Sequence, residues 1–226
     1  MKVNLINEVK DAYKSDLKNS FAKPDSLYRR CILNWQTHFD IDQMRLGPVL
    51  AKSLKNDVSG RFWGGERYSI KESLILLANH NPDLFWESIK DLLNEEKMLV
   101  MRTDRFLHHC DIIFNDYLKA NPNSKEDTHR QGHYSASLLL SLQFPMRYAL
   151  LEYAVFERFC ESIEVNDTPI RTDLERFTKI VNATYKVISK DEDFMTAYYQ
   201  ALEHEIYLGP SLDVVSNLMH FNSKKL

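Results

Sequence analysis

The sequence predicts an all-α protein, a single compact multi-helix bundle of about nine or ten helices spanning residues 1–226. Three observations carry this. Apolar residues recur at three- and four-residue intervals through most of the chain, and no segment sustains the period-two alternation of a strand. Gly and Pro number only 6 and 7 in 226 residues, too few for the tight turns an all-β sandwich needs. Ser, Asn or Asp stands directly ahead of several apolar-periodic segments, where a helix N-cap belongs.

Taken in order, residues 1–21 place Val3, Ile6, Val9, Tyr13 and Leu17 at helical spacing before Lys23-Pro24-Asp25 ends the segment. Leu27 to Phe39 forms a second helix carrying Tyr28, Cys31, Ile32 and Trp35, and Met44 to Leu54 a third. Gly60, Gly64 and Gly65 then mark the clearest loop, a flexible aromatic-Gly segment near 57–68. Ser69 with Glu72 three residues on reads as a capping box for the next helix. Asn81-Pro82 opens another, Pro at the first helical position costing no hydrogen bond. A long helix follows over about 98–120, and the polar run 121–132 reads as an exposed flexible connection.

Tyr134 to Phe144 is too uniformly apolar for a surface helix, which predicts burial on most sides. Pro145 cannot continue that helix but can begin another, expected over 145–163. Three more helices are expected at about 172–189, 191–207 and 211–220, with Asp191 and Ser211 as caps for the last two.

Composition bounds the function. A net charge of −3 and a pI near 6.2 give no global basic field for holding phosphates. Cys31, Cys110 and Cys160 are odd in number and widely spaced, as expected of reduced thiols in a cytoplasmic protein rather than a disulfide frame or zinc site. No apolar run approaches the ~20 residues of a membrane span, and the N-terminus lacks the apolar core of a signal peptide.

Three stretches resemble a known family: "NWQTHFD…GRFWGGERYSIKESLILLANHNPDLFWESIKDLLNEE", "RTDRFLHHCDIIF" and "GHYSASLLLSLQFPMRYALLEYAVFERF". Together they are similar to the helical region ahead of the motor module in AAA+ ATPases and GTPases of the kind that drives McrBC-type modified-cytosine restriction systems. The third stretch carries the aromatic-Pro-x-x-Tyr corner, Phe144 to Tyr148 here, followed by Tyr153 and Phe156. "YLGPSLDVVSNLMHF" is similar to the segment leading towards the ATPase core. The resemblance covers most of residues 28–220. Nowhere, however, does the chain carry G-x-x-x-x-G-K-[ST], whose backbone amides and Lys cradle phosphates. It therefore implies either a domain cut from a longer protein or a stand-alone relative of the front half.

Among chemical motifs, His108-His109-Cys110-Asp111 places successive side chains about 100° apart, so one helix cannot aim them at one ion. With His129 and His133 they make the alternative of a small metal-dependent hydrolase. Glu203-His204-Glu205 lacks the second histidine of H-E-x-x-H, because Leu occupies position 208. Ser135 and Ser137 have no G-x-S-x-G elbow around them. No catalytic residue, metal or cofactor is assigned.

The binding residues read from the sequence are Arg61, Phe62, Trp63, Arg67 and Tyr68, with Arg147 beside the Phe-Pro corner. Planar cations among large aromatics suit stacking on a base or docking a protein. The alternative role of Phe62 and Trp63 is to plug the core. The expected function is a non-enzymatic recognition or adaptor domain of a restriction-like antiviral or DNA-processing system. Its expected partner is a protein such as an AAA+ ATPase/GTPase or nuclease subunit, ahead of nucleic acid because the chain is acidic. A structural helical scaffold or homo-oligomer is the remaining alternative.

Overall fold

The short polar residues ahead of apolar runs do cap helices. In the computed structural model, which describes residues 1–43, 45–55, 62, 69–203 and 206–225, Ser69 accepts from the Glu72 amide and Asn81 from that of Leu84. Asp173 and Asp191 accept from Arg176 and Phe194 in the same way. These side chains satisfy amides that the helix itself leaves unpaired.

The described residues form eleven helices and no strand. They are α1 (Val3–Lys18), α2 (Leu27–His38), α3 (Leu46–Ser53), α4 (Ile70–His80), α5 (Pro82–Leu92), α6 (Leu99–Ala120), α7 (His133–Gln143), α8 (Tyr153–Ser162), α9 (Leu174–Ile188), α10 (Glu192–Gln200) and α11 (Asp213–Ser223). The all-helical class holds. Where one domain over 1–226 was expected, the chain groups into two compact units: Met1–Arg30 with Phe144–Leu226, and Cys31–Gln143.

Two expected helices are shorter than their apolar pattern suggests. The one expected over 145–163 begins only at Tyr153. Ahead of it the chain turns at Pro145, with the amides of Arg147 and Tyr148 both donating to the Phe144 carbonyl, and then runs irregularly. Ala149, Leu150 and Leu151 are buried in succession, which a helix with one wet face would not do. The second, expected over 191–207, ends at Gln200. Beyond it the Arg29 guanidinium donates to the carbonyls of Tyr207 and Gly209, at 2.8 and 3.0 Å. A side chain thus supplies the donors that a further turn of helix would have given.

The discontinuous unit packs α1 against α9, α10 and α11, and α11 against α8. Ile6 and Tyr13 meet a core of Phe156, Phe159, Phe177, Phe194 and Leu218. Inside it lies a polar cluster. Arg29 donates to both oxygens of Asp213, at 2.6 and 2.7 Å, and neither residue is more than 1% exposed. The Tyr198 hydroxyl also donates to Asp213, Asn217 donates to Tyr198, and the Asn217 carbonyl accepts from the Asp25 amide. At its surface, Lys10 and Lys14 each reach Asp191 at 2.8 Å.

In the second unit α3 packs on α4 and α5 on α6. Ser135 to Leu142 of α7 are all buried, as the uniformly apolar pattern predicts. The hydroxyls of Ser137 and Ser141 donate to carbonyls three residues back, which lets them sit among leucines. Trp35 donates to the Gln143 side chain, and Gln36 to the carbonyls of Leu142 and Gln143, so the two ends of this unit are tied together.

Two outcomes are expected. Asp213→Ala strands the buried Arg29 charge and lowers unfolding free energy by about 3–5 kcal/mol, whereas Arg29→Met with Asp213→Leu recovers only part of it, because the Tyr207 and Gly209 carbonyls lose their donor. Urea titrations check this, and a loss under ~1 kcal/mol for Asp213→Ala refutes it. Hydrogen bonds from Lys10 and then Lys14 hold the Asp191 carboxyl far below the usual carboxylate range. Its stabilising contribution is therefore full above the ordinary carboxylate pKa of about 4 and fades as pH falls below it. Asp191→Asn keeps the cap but not the charge, so the variant is the less stable at neutral pH and the gap to the parent closes in acid. Melting curves from pH 7 to 2 test it; a gap constant with pH shows the ion pairs to be idle.

Candidate functional site

The 121–132 segment forms no helix, yet it is fastened to the unit beneath it. The Ser73 hydroxyl donates to the His129 carbonyl. Gln131 donates through its side chain to the carbonyls of Ile70 and His129. The His129 ring nitrogen Nε2 lies 2.8 Å from Asp111 of α6, while Nδ1 accepts from the Gln131 amide at 3.0 Å. These roles fix the tautomer with the proton on Nε2. The edge of Phe114 meets the same ring, with centroids 5.8 Å apart. Arg130 then takes a left-handed backbone, φ 58°, and reaches back to Glu126 and Asp127 at 3.5 and 3.6 Å.

Between this loop and the start of α4 opens a cleft of about 500 Å³. Its floor is Leu76 and Phe114; its walls carry Glu72, Lys125, Glu126, Asp127 and Arg130, with the hydroxyls of Ser69, Ser73 and Thr128. Three carboxylates face two cations. Such a surface has no excess of positive charge to track a phosphate backbone. Its alternating charges over a small apolar floor match the mixed side chains of a polypeptide.

Of the residues the sequence singles out, Arg61, Trp63, Arg67 and Tyr68 lie outside the described residues. Phe62 is 1% exposed and its carbonyl accepts from the Tyr134 hydroxyl, so its ring takes the core-plugging alternative. Arg147 is exposed and belongs to the discontinuous unit, its carbonyl accepting from Asn182. The aromatic-Arg segment ends one residue before Ser69, which lines the cleft.

The histidines are dispersed. His129 has both ring nitrogens engaged, and burial lowers the pKa of His133 despite the opposing charge of Asp104. Burial pushes the Cys110 thiol well above the usual range, and the Cys160 thiol to about 12. Among the described residues no three His, Cys, Asp or Glu side chains converge as a metal site. Glu203 pairs with Arg30; His204 and Glu205 lie outside the described residues.

Sequence reasoning did not single out the cleft lining, and it named Asp111 and His129 only in a metal-site alternative, not as a pair that fastens the loop. Asp111 and His129 are 18 positions apart with no periodic signal between them, so only the fold brings them together. The run of charges from Lys125 to Arg130 was visible, but as a connection. Comparison with known proteins adds no assignment: no family model, curated protein or solved structure matches the chain.

His129→Ala removes both the Asp111 contact and the Gln131 acceptor. Amide exchange at Thr128 to Gly132 is expected to quicken about tenfold or more while α6 and α7 keep their protection. Unchanged exchange there means that the ring does not hold the loop.

Proposed function

We propose that this chain is a non-enzymatic recognition or adaptor module of a restriction-like antiviral or DNA-processing system, holding a protein partner and relying on a separate nucleotide-driven motor. The observation that carries the protein-binding part is the balanced charge of the cleft walls, three carboxylates against two cations, in a chain of net charge −3. The system itself is inferred from the resemblance of the aromatic-Gly loop, the 102–114 stretch and the Phe-Pro corner. The sequence carries no phosphate-cradling G-x-x-x-x-G-K-[ST], in keeping with a motor supplied by another chain or region.

In this reading α4 and α6 are the rigid scaffold and the clasped loop is the contact element. Partner binding uses side chains already positioned, so little ordering entropy opposes it.

Affinity capture with the purified chain from its own cells tests this. The expected catch, identified by mass spectrometry, is a protein bearing a P-loop motor or a nuclease subunit. It should be lost with Glu72→Arg plus Asp127→Arg, which reverses the cleft walls. Duplex DNA should give no shift at about 150 mM salt, where non-specific phosphate contacts are already weak. Nucleotide turnover by the chain alone, or capture indifferent to the cleft variant, overturns the proposal.

A further inference from the structure

We propose that His129 is a proton-operated latch: the 121–132 loop is fastened fully only while this ring is neutral, and it loosens in mild acid. The geometry demands one protonation state. Nε2 lies 2.8 Å from Asp111 and needs its proton to donate there, while Nδ1 accepts the Gln131 amide at 3.0 Å and must stay bare. A second proton goes to Nδ1, where the lone pair is. It turns that acceptor into a donor aimed at another donor, and the Gln131 amide loses its partner.

The ring is poorly placed to carry charge. Its side chain is 12% exposed, and the edge of Phe114 closes on it. Asp111 favours the cation, but that carboxylate is 62% exposed, so water screens most of its pull. Two donors left facing each other out of water cost more than an exposed ion pair returns.

The remaining charges do not reverse this balance. Glu72 of α4 and, on the loop, Lys125, Glu126, Asp127 and Arg130 line the adjoining cleft. Arg130 answers Glu126 and Asp127, and the one carboxylate left in excess lies among exposed side chains, where solvent screens it. At the head of α7, burial disfavours charge on His133, against the pull of Asp104 of α6.

The loosened loop therefore binds the proton better than the fastened one. The latch is whole above the range in which imidazoles protonate, around pH 6.5, and is lost as pH falls through it. The Ser73 and Gln131 side chains still hold the His129 carbonyl, so the loop loosens rather than unfolds. Lys125 to Thr128 and Arg130 are a wall of the cleft, which loses its fixed shape with the latch. That a bound protein then leaves rests on the adaptor reading; the movement of the loop does not.

The test is amide exchange on the full chain at pH 7.5 and 5.5, each rate divided by that of the unstructured peptide at the same pH. Protection of Gln131 and its neighbours from Thr128 to Gly132 is expected to fall about tenfold or more in acid, while α6 and α7 keep theirs. Asp111→Asn keeps an acceptor for Nε2 but removes the charge that favours the cation, so the fall widens. In His129→Asn, Oδ1 stands where Nδ1 did and accepts the same amide two residues on, without titrating. Protection of Gln131 then persists and no longer changes with pH. Protection that is flat or rises in acid in the parent, a fall shared by α6 and α7, or a fall undiminished in His129→Asn each overturns the proposal. No partner enters these measurements, so the latch can fail while the adaptor reading stands, and a failed capture leaves the latch untouched.

Discussion

Arg29 and Asp213 are separated by 184 positions, and both are out of water. A guanidinium or a carboxylate carried alone into that interior would cost several kcal/mol, so either residue is tolerable there only with the other in place. The pair therefore ties residues before 30 to residues after 144 within the discontinuous unit. Tyr198, Asn217 and the Asp25 amide take up the remaining hydrogen-bonding capacity around Asp213. The pairing also fixes local structure. With two carbonyls of the 207–209 segment answered by Arg29, that stretch can stay irregular without unpaired groups.

An insertion of residues 31–143 into such a unit is easiest when its own ends meet. They do. Trp35 and Gln36 hydrogen-bond Gln143 and Leu142, so the last residues of the unit return to its first helix, four or five positions from Cys31. Within that unit α7 packs against α6 and is buried over most of its length. Its serines bond their own backbone, and eight consecutive positions can then be buried at no cost in unpaired hydroxyls.

The fold class and most helix starts were legible because their causes are local. A Ser or Asp cap, a Pro at the first turn and a three-four apolar spacing act over four to seven residues, and the sequence contains all of them. What it did not disclose was non-local. Residues 145–152 carry helix-compatible apolar spacing, yet the run from Ala149 to Leu151 is buried on every side and its neighbour Pro145 offers its carbonyl to Leu212. Tertiary demand overrode propensity. The cleft was hidden for the same reason: Glu72, Phe114 and Asp127 are ordinary residues of three segments. Phe62 was half legible, since an aromatic in a Gly-rich loop suits a core plug and a contact equally, and burial decides between them.

The titratable groups bear on what kind of protein this is. His80 lies 3.0 Å from Asp116, His129 2.8 Å from Asp111 and His220 2.6 Å from Glu152. His80 and His220 join their helices to a carboxylate on another segment, His129 joins its loop to Asp111 of α6, and each acts as a strut. A general base must offer a lone pair to a substrate proton, and an imidazole bonded to a carboxylate through one nitrogen can do so only where its second nitrogen is not engaged too. At His129 the remaining nitrogen is occupied as well, so proton transfer there would release the loop that shapes the cleft. Chemistry and architecture compete for the same ring. The same bonds order the cleft wall before any contact is made, so a ligand held there would meet side chains whose entropy is already lost.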